Sequence, residues 1–343
     1  MKLIPYGRQK ILNDDLNFVS RSLKSNLITT GPYVKKFEKK INTLLNSKYA
    51  ISCTSGTSGL HLVLMAINLK KNDIIIMPAV NFIAIYNLCK IVKAKIFLAD
   101  VCPDTGQMTP KNLMECINKN KIKKIKAIVT MYLGGYPQNL NEFYKIKKKY
   151  NCFLIEDACH ALGAKYKVSK SVFNVGSCAH SDFCIFSLHP LKTITSGEGG
   201  IVTTNNQSMS RKIKLLRSHG IVRSNHWKYD IKFPALNYRL SDINCALAYS
   251  QLKKMRKFVL KRKKTFNLYT SLFSDLQDFI ELPKYKDVKY SSFHLFLIKI
   301  NFKKLKKNKN FFINEMLKNK IMVQFHYMPI FFFKNIFNKK FKK

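Results

Sequence analysis

Acidic residues are scarce in this chain: 19 Asp and Glu stand against 61 Lys and Arg among 343 residues, for a formal net charge of +42. Such an imbalance would by itself suggest a nucleic-acid or anionic-surface partner. The excess is mostly lysine, and it is spread through the chain instead of clustering in a recognisable binding module. We therefore interpret the lysine runs as solvated surface and expect no nucleic-acid partner.

The sequence also lacks long apolar runs and the cysteine spacing of a metal site. No apolar run approaches the ~20 residues that cross a bilayer, and the segment that starts at Met1 does not resemble a signal peptide. The nine cysteines mostly lie inside apolar segments, for example Cys89, Cys152 and Cys184, which is typical of buried thiols in a reducing compartment. We expect a cytoplasmic protein with no membrane span and no metal.

What the sequence does contain is a loop built around one lysine. Residues 186–200 follow an apolar run that is typical of a buried strand, and they place Lys192 between Pro190 and three glycines at 197–200. Glycines permit turns and close approaches that other residues resist. The pattern therefore predicts a rigid, sharply turned loop that holds the lysine in place.

A carboxylate and an imidazole, Asp157 and His160, follow a second apolar strand upstream. Pyridoxal phosphate forms a Schiff base with a lysine amine, and its ring nitrogen needs a carboxylate partner. At an effective dielectric near ~20, opposite charges about 4 Å apart attract by roughly 4 kcal/mol, enough to raise a ring-nitrogen pKa by about three units. Lys192 and Asp157 suit these two roles, so the sequence predicts a pyridoxal phosphate site.

The segments around Lys192 and Asp157 resemble those of the DegT/DnrJ/EryC1/StrS sugar-nucleotide aminotransferases, which have fold type I of the pyridoxal-phosphate enzymes. Further motifs of this chain occur in the same order as in that family. The resemblance covers nearly the whole chain. The further motifs are residues 4–6, 27–32, 54–61, 237–242 and 324–329.

The resemblance and the alternation of apolar strands with helices predict the same α/β fold with a mainly parallel sheet. We expect a fold type I transferase with a large cofactor-binding domain over residues 1–250, including an N-terminal helix, and a smaller C-terminal α+β domain over residues 251–343. Asp157 should lie past the C-terminal end of its strand, where open α/β sheets bind ligands.

The resemblance implies further cofactor contacts. Gly56 and Thr57 stand at a helix start of small residues, where backbone N–H groups and the helix dipole favour a phosphate, and Ser187 is the matching side-chain donor. Phe82 would lie against the cofactor ring, and His160 would hold its phenolic oxygen. From the residues alone, an ordinary capped helix and a core phenylalanine remain open as alternatives.

The resemblance also implies a substrate pocket and a homodimer with shared active sites, in which Asn237 reaches the cofactor phosphate of the other subunit. For residues 29–32, a plain turn remains an alternative. The implied substrate-binding residues are Tyr6, Asn26, Leu27, Ile28, Thr29, Gln324, Phe325, His326 and Tyr327.

The activity implied is a transaminase that converts a UDP-linked 4-keto-6-deoxy-N-acetyl hexose to its 4-amino sugar, with glutamate as donor. Lys192 would be the Schiff-base partner and then the proton carrier. A dTDP-linked keto sugar remains open as an alternative substrate. A sugar dehydratase of the same scaffold carries histidine where Lys192 stands, so this lysine argues against that activity.

The last residues depart from the family pattern, in which the chain continues beyond the His-Tyr-x-Pro segment into another helix. We expect a shortened small domain, in which Phe331, Phe332, Phe333, Ile336 and Phe337 replace part of the missing cover. Uncovering apolar surface costs about 25 cal/mol per Å², so several hundred Å² would remove several kcal/mol. A truncated, inactive homologue is therefore a second alternative.

Overall fold

A seven-stranded sheet carries most of the apolar strands. The computed structural model describes residues 2–225 and 227–333. The strands of this sheet are β1 Tyr49–Cys53, β2 Ile74–Pro78, β3 Lys95–Ala99, β4 Ala127–Met131, β5 Phe153–Asp157, β8 Phe183–Ser187 and β9 Gly200–Thr204. They lie in the order β1-β9-β8-β5-β4-β2-β3. Short two-stranded pairs are formed by β6 Lys165–Val168 with β7 Ser171–Asn174, β10 Ile221–Arg223 with β11 Tyr229–Ile231, and β12 Ile280–Glu281 with β13 Lys299–Ile300.

Strands β3, β2, β4, β5 and β8 pair in parallel, whereas β9 is antiparallel to both of its neighbours. Parallel neighbours end at the same edge of a sheet, where α/β proteins bind ligands. The expected α/β fold with a mainly parallel sheet is confirmed. The helices are α1 Asn13–Leu23, α2 Pro32–Leu45, α3 Gly56–Ala66, α4 Ala84–Ile91, α5 Pro110–Lys119, α6 Leu140–Tyr150, α7 Gln207–Leu216, α8 Asp242–Leu272 and α9 Lys309–Lys318.

The core lies on both faces of the sheet, because successive side chains of a strand point to opposite faces. In β5, Leu154 belongs to one apolar cluster and Ile155 to the other; in β8, Phe186 and Ile185 divide in the same way. Helices α2, α5, α6 and α8 pack on the Leu154 face, and α3, α4 and α7 pack on the Ile155 face. Burial on both faces explains why these strands are continuous apolar runs in the sequence.

Helix α8 links the sheet to the C-terminal part of the chain. It begins after Ser241, whose hydroxyl accepts a hydrogen bond from the Asn244 N–H, and it continues for 31 residues. The predicted domain boundary at residue 250 falls inside this helix, and the division into two domains stays a prediction. Within residues 2–225 and 227–333, no helix combines the length and the apolar character needed to cross a bilayer.

The end of the described chain differs in part from expectation. Ile330 is fully buried and its N–H donates to the Ala79 carbonyl oxygen over 2.9 Å, next to β2. Phe331 and Phe332 remain 37% and 62% exposed, so these two rings supply little of the expected cover. The bond at Ile330 fixes that residue in the core and leaves its two successors outside. Ile336 and Phe337 lie outside the described residues.

Candidate active site

Strands β5 and β8 end side by side and position the predicted chemical groups. Asp157 is the last residue of β5 and lies opposite Ile185 of β8. Two residues after Ile185, Ser187 ends β8 and the lysine loop begins. Asp157 and the loop that carries Lys192 therefore meet at one edge of the sheet.

The lysine loop is closed by its own backbone. The Leu188 N–H donates to the Gly199 carbonyl over 2.8 Å, and the Ser196 N–H donates to the Leu188 carbonyl over 3.0 Å. Gly197 has φ of +82°, a conformation that favours glycine. The Lys192 N–H donates to the His189 carbonyl over 2.8 Å. The loop thus turns sharply around Lys192, as its glycines predict.

Asp157 and Lys192 influence each other electrostatically. Asp157 is 4% exposed, and the Cys159 N–H donates to its Oδ1 over 3.3 Å. Burial raises the pKa of Asp157, and the charge of Lys192 acts in the opposite direction. Burial lowers the pKa of Lys192, while Cys159 and Asp157 act to raise it. The site therefore holds a buried carboxyl group near an amine that loses its proton more readily than an exposed lysine.

Helix α3 begins beside the end of β8. Its N-cap residue Ser55 accepts a hydrogen bond from the Ser58 N–H over 3.0 Å. A β-carbon at Gly56 would lie 3.0 Å from Sγ of Cys159 and 3.1 Å from Cβ of Ser187, so only glycine fits here without displacement. The first N–H groups of α3, at Gly56 and the exposed Thr57, thus start next to Ser187. A helix start of this kind attracts an anion such as a phosphate.

A group of imidazole and phenol rings lies around His160. His160 is 3% exposed; its Nε2 lies 3.0 Å from the Tyr327 hydroxyl, and its Nδ1 has no hydrogen-bond partner in the part of the chain that the structure describes. Burial, together with the charge of Lys192, lowers the pKa of His160 well below its ordinary value. The ring is therefore neutral near pH 7 and has one nitrogen free for a ligand.

Residues from both ends of the chain meet near this group. The Ile4 N–H donates to the Lys320 carbonyl over 2.7 Å, which brings Tyr6 to the C-terminal segment. The Tyr6 hydroxyl lies 2.9 Å from Nε2 of His326, and the two rings stack. Burial raises the pKa of Tyr6 to about 12 and lowers that of His326 to about 4. Both side chains are thus neutral hydrogen-bonding groups near pH 7.

Five of the predicted substrate residues line one cleft of about 860 Å³: Tyr6, Gln324, Phe325, His326 and Tyr327. Phe82 lies nearby, with its ring centroid 5.8 Å from that of Tyr327 and 51% of the residue exposed.

Two groups of residues that the sequence predicted for the site lie away from this cleft in the single chain. Residues 26–29 do not line this cleft; Leu27 and Ile28 are 56% and 46% exposed, and the Ile28 carbonyl accepts from the Asp242 N–H over 3.0 Å. Asn237 is exposed and uses its Oδ1 to accept from the Arg239 N–H over 3.3 Å.

Two residues that the structure places at the site, His294 and Arg262, were not predicted from the sequence. The His294 ring centroid lies 4.4 Å from that of His160, and the guanidinium of Arg262 in α8 donates to the His294 carbonyl over 2.8 Å. A histidine within the apolar stretch 293–298 was a usable signal for His294. Arg262 is one of many cations in α8, and nothing in the local sequence distinguishes it.

The residues present fit pyridoxal phosphate. Asp157 is a buried carboxyl group whose hydrogen bond from the Cys159 N–H is long, at 3.3 Å, so it can take a ring nitrogen as partner. His160 has a free buried nitrogen, and Gly56 leaves the start of α3 open beside Ser187. Lys192 supplies an amine with a lowered pKa.

Comparisons with known proteins identify the family. The sequence profile of the DegT/DnrJ/EryC1/StrS aminotransferase family matches residues 9–343. The chain is 38% identical over 331 residues to the UDP-4-amino-4,6-dideoxy-N-acetyl-beta-L-altrosamine transaminase of Campylobacter jejuni, with 96% of this chain and 85% of that protein covered.

Two solved structures are also similar. One is Helicobacter pylori PseC, an aminotransferase involved in the biosynthesis of pseudoaminic acid, with a TM-score of 0.88 and 29% sequence identity. The alignment covers 98% of this chain and 89% of the PseC chain. The putative sugar aminotransferase Spr1654 from Streptococcus pneumoniae, in its PLP form, has a TM-score of 0.85 at 26% identity, with 96% and 86% covered.

Proposed function

We propose that this chain, which belongs to the DegT/DnrJ/EryC1/StrS aminotransferase family, converts a UDP-linked 4-keto-6-deoxy-N-acetyl hexose to its 4-amino sugar in pseudaminic acid type biosynthesis, with glutamate as amino donor. The chain is a sugar aminotransferase and its cofactor is pyridoxal 5′-phosphate. The names of the Campylobacter jejuni and Helicobacter pylori relatives support the substrate class.

The observation that carries the proposal is the meeting of Lys192, Asp157 and His160 at the ends of β5 and β8, beside a large cleft. Pyridoxal phosphate supplies an electron sink that makes a carbon-bound proton of the substrate acidic. Lys192 would hold the cofactor through Nζ, Asp157 would pair with its ring nitrogen, and His160 would bind its phenolic oxygen. Its phosphate would be held by Gly56, Thr57 and Ser187, and its ring would be covered by Phe82.

Lys192 is also the group best placed to move a proton. Because burial lowers its pKa, a larger fraction of the Nζ amine is neutral near pH 7 than in an exposed lysine. A neutral amine can accept a proton from the substrate carbon and return it to another atom within reach. Asp157 is close enough to feel the charge of Lys192: burial raises the pKa of this carboxyl group, and Lys192 acts to lower it.

The cleft supports a substrate larger than an amino acid. Its volume of about 860 Å³ is at the upper end of the usual range for small-molecule sites, roughly 300–1,000 Å³. Tyr6 and His326 offer neutral polar atoms in it, and Phe325 offers an apolar ring. These side chains would bind the sugar nucleotide.

We further propose a homodimer that completes this site. Asn237 and residues 26–29 are exposed in the single chain, so they are available to a second copy. In the dimer, Asn237 would bind the cofactor phosphate of the other subunit, and residues 26–29 would complete the wall of the substrate cleft.

Turnover of a panel of sugar nucleotides tests the substrate. The chain is loaded with pyridoxal phosphate and glutamate, and formation of 2-oxoglutarate is followed with UDP-linked and dTDP-linked 4-keto sugars. We expect turnover of the UDP-linked N-acetylated sugar, and none by the Lys192→Ala variant. Preference for a dTDP-linked sugar would show that the proposed UDP-linked substrate is wrong. Cofactor binding without any turnover would instead favour an inactive homologue.

A further inference from the structure

The guanidinium of Arg262 lies between the lysine loop and the chain segment that carries His294. Its Nη1 donates to the His294 carbonyl over 2.8 Å, and its Nη2 lies 3.3 Å from the carbonyl oxygens of both Leu191 and Lys192. One side chain in the middle of α8 thus binds three backbone oxygens from two separate segments. The planar arginine fork can bind several acceptors in fixed directions, which a lysine ammonium cannot reproduce.

The segment around His294 is itself fixed to the turns that follow β4 and β5. The His294 N–H donates to the Gly134 carbonyl over 2.9 Å, and the Ser292 N–H donates to the Gly135 carbonyl over 3.1 Å. The Ser292 hydroxyl also donates to the His160 carbonyl over 2.7 Å. A β-carbon at Gly135 would lie 2.1 Å from Oγ of Ser292, so this close packing requires glycine. Arg262 therefore ties the lysine loop to a rigid support.

The charge of Arg262 has no acidic partner within hydrogen-bonding distance in residues 2–225 and 227–333. Burial lowers the pKa of Lys192, Cys159 and Asp157 act to raise it, and the charge of Arg262 adds a smaller lowering effect. The neighbouring imidazoles, His160 and His294, are affected in the same direction by burial first and by Arg262 in addition.

We propose that Arg262 is a positioning residue for Lys192. By binding the carbonyl oxygens of Leu191, Lys192 and His294, it fixes the point at which the lysine side chain leaves its loop, and its uncompensated positive charge favours the neutral amine. The inference rests on the proposed function of Lys192 as the residue that holds the cofactor. The loop geometry and the charge effect can nevertheless be measured without catalysis.

Three variants separate the two effects. Arg262→Gln removes the fork and the charge, Arg262→Lys keeps the charge without the fork, and Lys264→Gln removes a charge from an exposed position of the same helix as a matched control. Hydrogen exchange of residues 188–196 is measured in the full chain, with and without pyridoxal phosphate. The pH midpoint for acetylation of Lys192 is measured by mass spectrometry in the cofactor-free chain.

We expect exchange in residues 188–196 to be about tenfold faster or more in both Arg262 variants, because hydrogen bonds to a charged donor are lost. The acetylation midpoint should rise by about half a pH unit or more in Arg262→Gln and stay near the wild-type value in Arg262→Lys. The Lys264→Gln control should change neither quantity.

The proposal requires faster exchange of residues 188–196 in both Arg262 variants and a raised acetylation midpoint in Arg262→Gln. Loop exchange in either Arg262 variant as slow as in the control would show that Arg262 does not hold the loop, and an unmoved midpoint in Arg262→Gln would show that its charge does not act on Lys192. If Arg262→Gln does not fold, loop exchange in Arg262→Lys alone decides the positioning role. Failure of the wild-type chain to transaminate any sugar would overturn the proposed function and leave these two measurements valid.

Discussion

The Tyr327 hydroxyl lies 3.0 Å from Nε2 of His160, a residue 167 positions earlier in the chain. This contact joins a residue predicted to bind substrate to one predicted to bind the cofactor. It also occupies one nitrogen of the buried imidazole and leaves Nδ1 as the nitrogen available to a ligand.

Removing this hydroxyl with Tyr327→Phe should weaken cofactor binding about fivefold, because one hydrogen bond of about 1 kcal/mol no longer orients His160. Titration of the visible spectrum with pyridoxal phosphate measures this change. Tyr150→Phe, located before β5 at the opposite edge of the sheet, is the control and should bind as the wild type does. Equal affinity in the two variants would show that the contact does not orient His160 for the cofactor.

The Lys192→Ala variant should lose turnover completely and should no longer be labelled when borohydride reduces the loaded protein. It should still bind the cofactor noncovalently, because the phosphate contacts proposed at Gly56 and Ser187 are retained. Peptide mapping of the reduced wild type identifies the labelled residue. Lys167→Ala, an exposed position in β6, is the control. Label on another lysine, or on none, contradicts the assignment.

Mixing inactive Lys192→Ala and Asn237→Ala subunits should restore roughly a quarter of the wild-type activity. Half of the randomly formed dimers would be hybrids, and each hybrid would have one site with both groups intact. The matched control mixes Lys192→Ala with the double variant that also carries Asn237→Ala, in which no site is complete. Verified hybrids that stay inactive would argue against shared sites.

Glu156, next to Asp157, gives a prediction about pH and stability. It is fully buried, accepts a hydrogen bond from the Tyr132 hydroxyl over 2.7 Å and is also bound by Ser181. Burial raises its pKa from 4.5 to about 7. Between these values the unfolded chain has lost the proton that the folded chain keeps, so this carboxyl group lowers stability as the pH rises from about 4.5 to about 7.

Glu156→Gln should remove this dependence. Urea unfolding measures the free energy of unfolding at pH 5 and at pH 8. From pH 5 to pH 8 the value for the variant should rise by about 2–3 kcal/mol relative to that of the wild type, at 1.36 kcal/mol per pKa unit. If the free energies of unfolding of the two proteins differ by the same amount at both pH values, Glu156 ionises at its ordinary pKa.

Backbone protection should be lower beyond Lys299 than in the sheet. Strands β12 and β13 share only two residue pairs, and α9 has no buried residue. Few buried contacts allow local opening at low free-energy cost. Hydrogen exchange measured by mass spectrometry should therefore be faster in residues 300–333 than in β4, β5 and β8. Equal protection in both regions would show that residues 300–333 are as stable as the sheet.

The sequence by itself determined the fold class and the cofactor. Asp157 ends a buried strand and Lys192 follows another, while Gly56 opens a helix; each of these placements is local, because a strand, a turn and a helix start depend on residues close in the chain. Parallel pairing of β5 and β8 brings the first two ends to one edge of the sheet. Strand β1, antiparallel to β9 as β8 is, runs in the same direction as β8 and ends at that edge before Gly56. The resemblance to the family assigned all three motifs to one cofactor, and the fold brings them close together.

Only the tertiary structure decided which residues surround those groups. Arg262 and His294 meet the lysine loop through packing of α8 and of a segment anchored to Gly134 and Gly135, and no local pattern encodes such contacts. The same holds for Ile330, which is buried, while Phe332, an equally apolar residue two positions later, is exposed. Burial of a side chain depends on which distant surfaces the folded backbone brings to it, and that is a property of the whole chain.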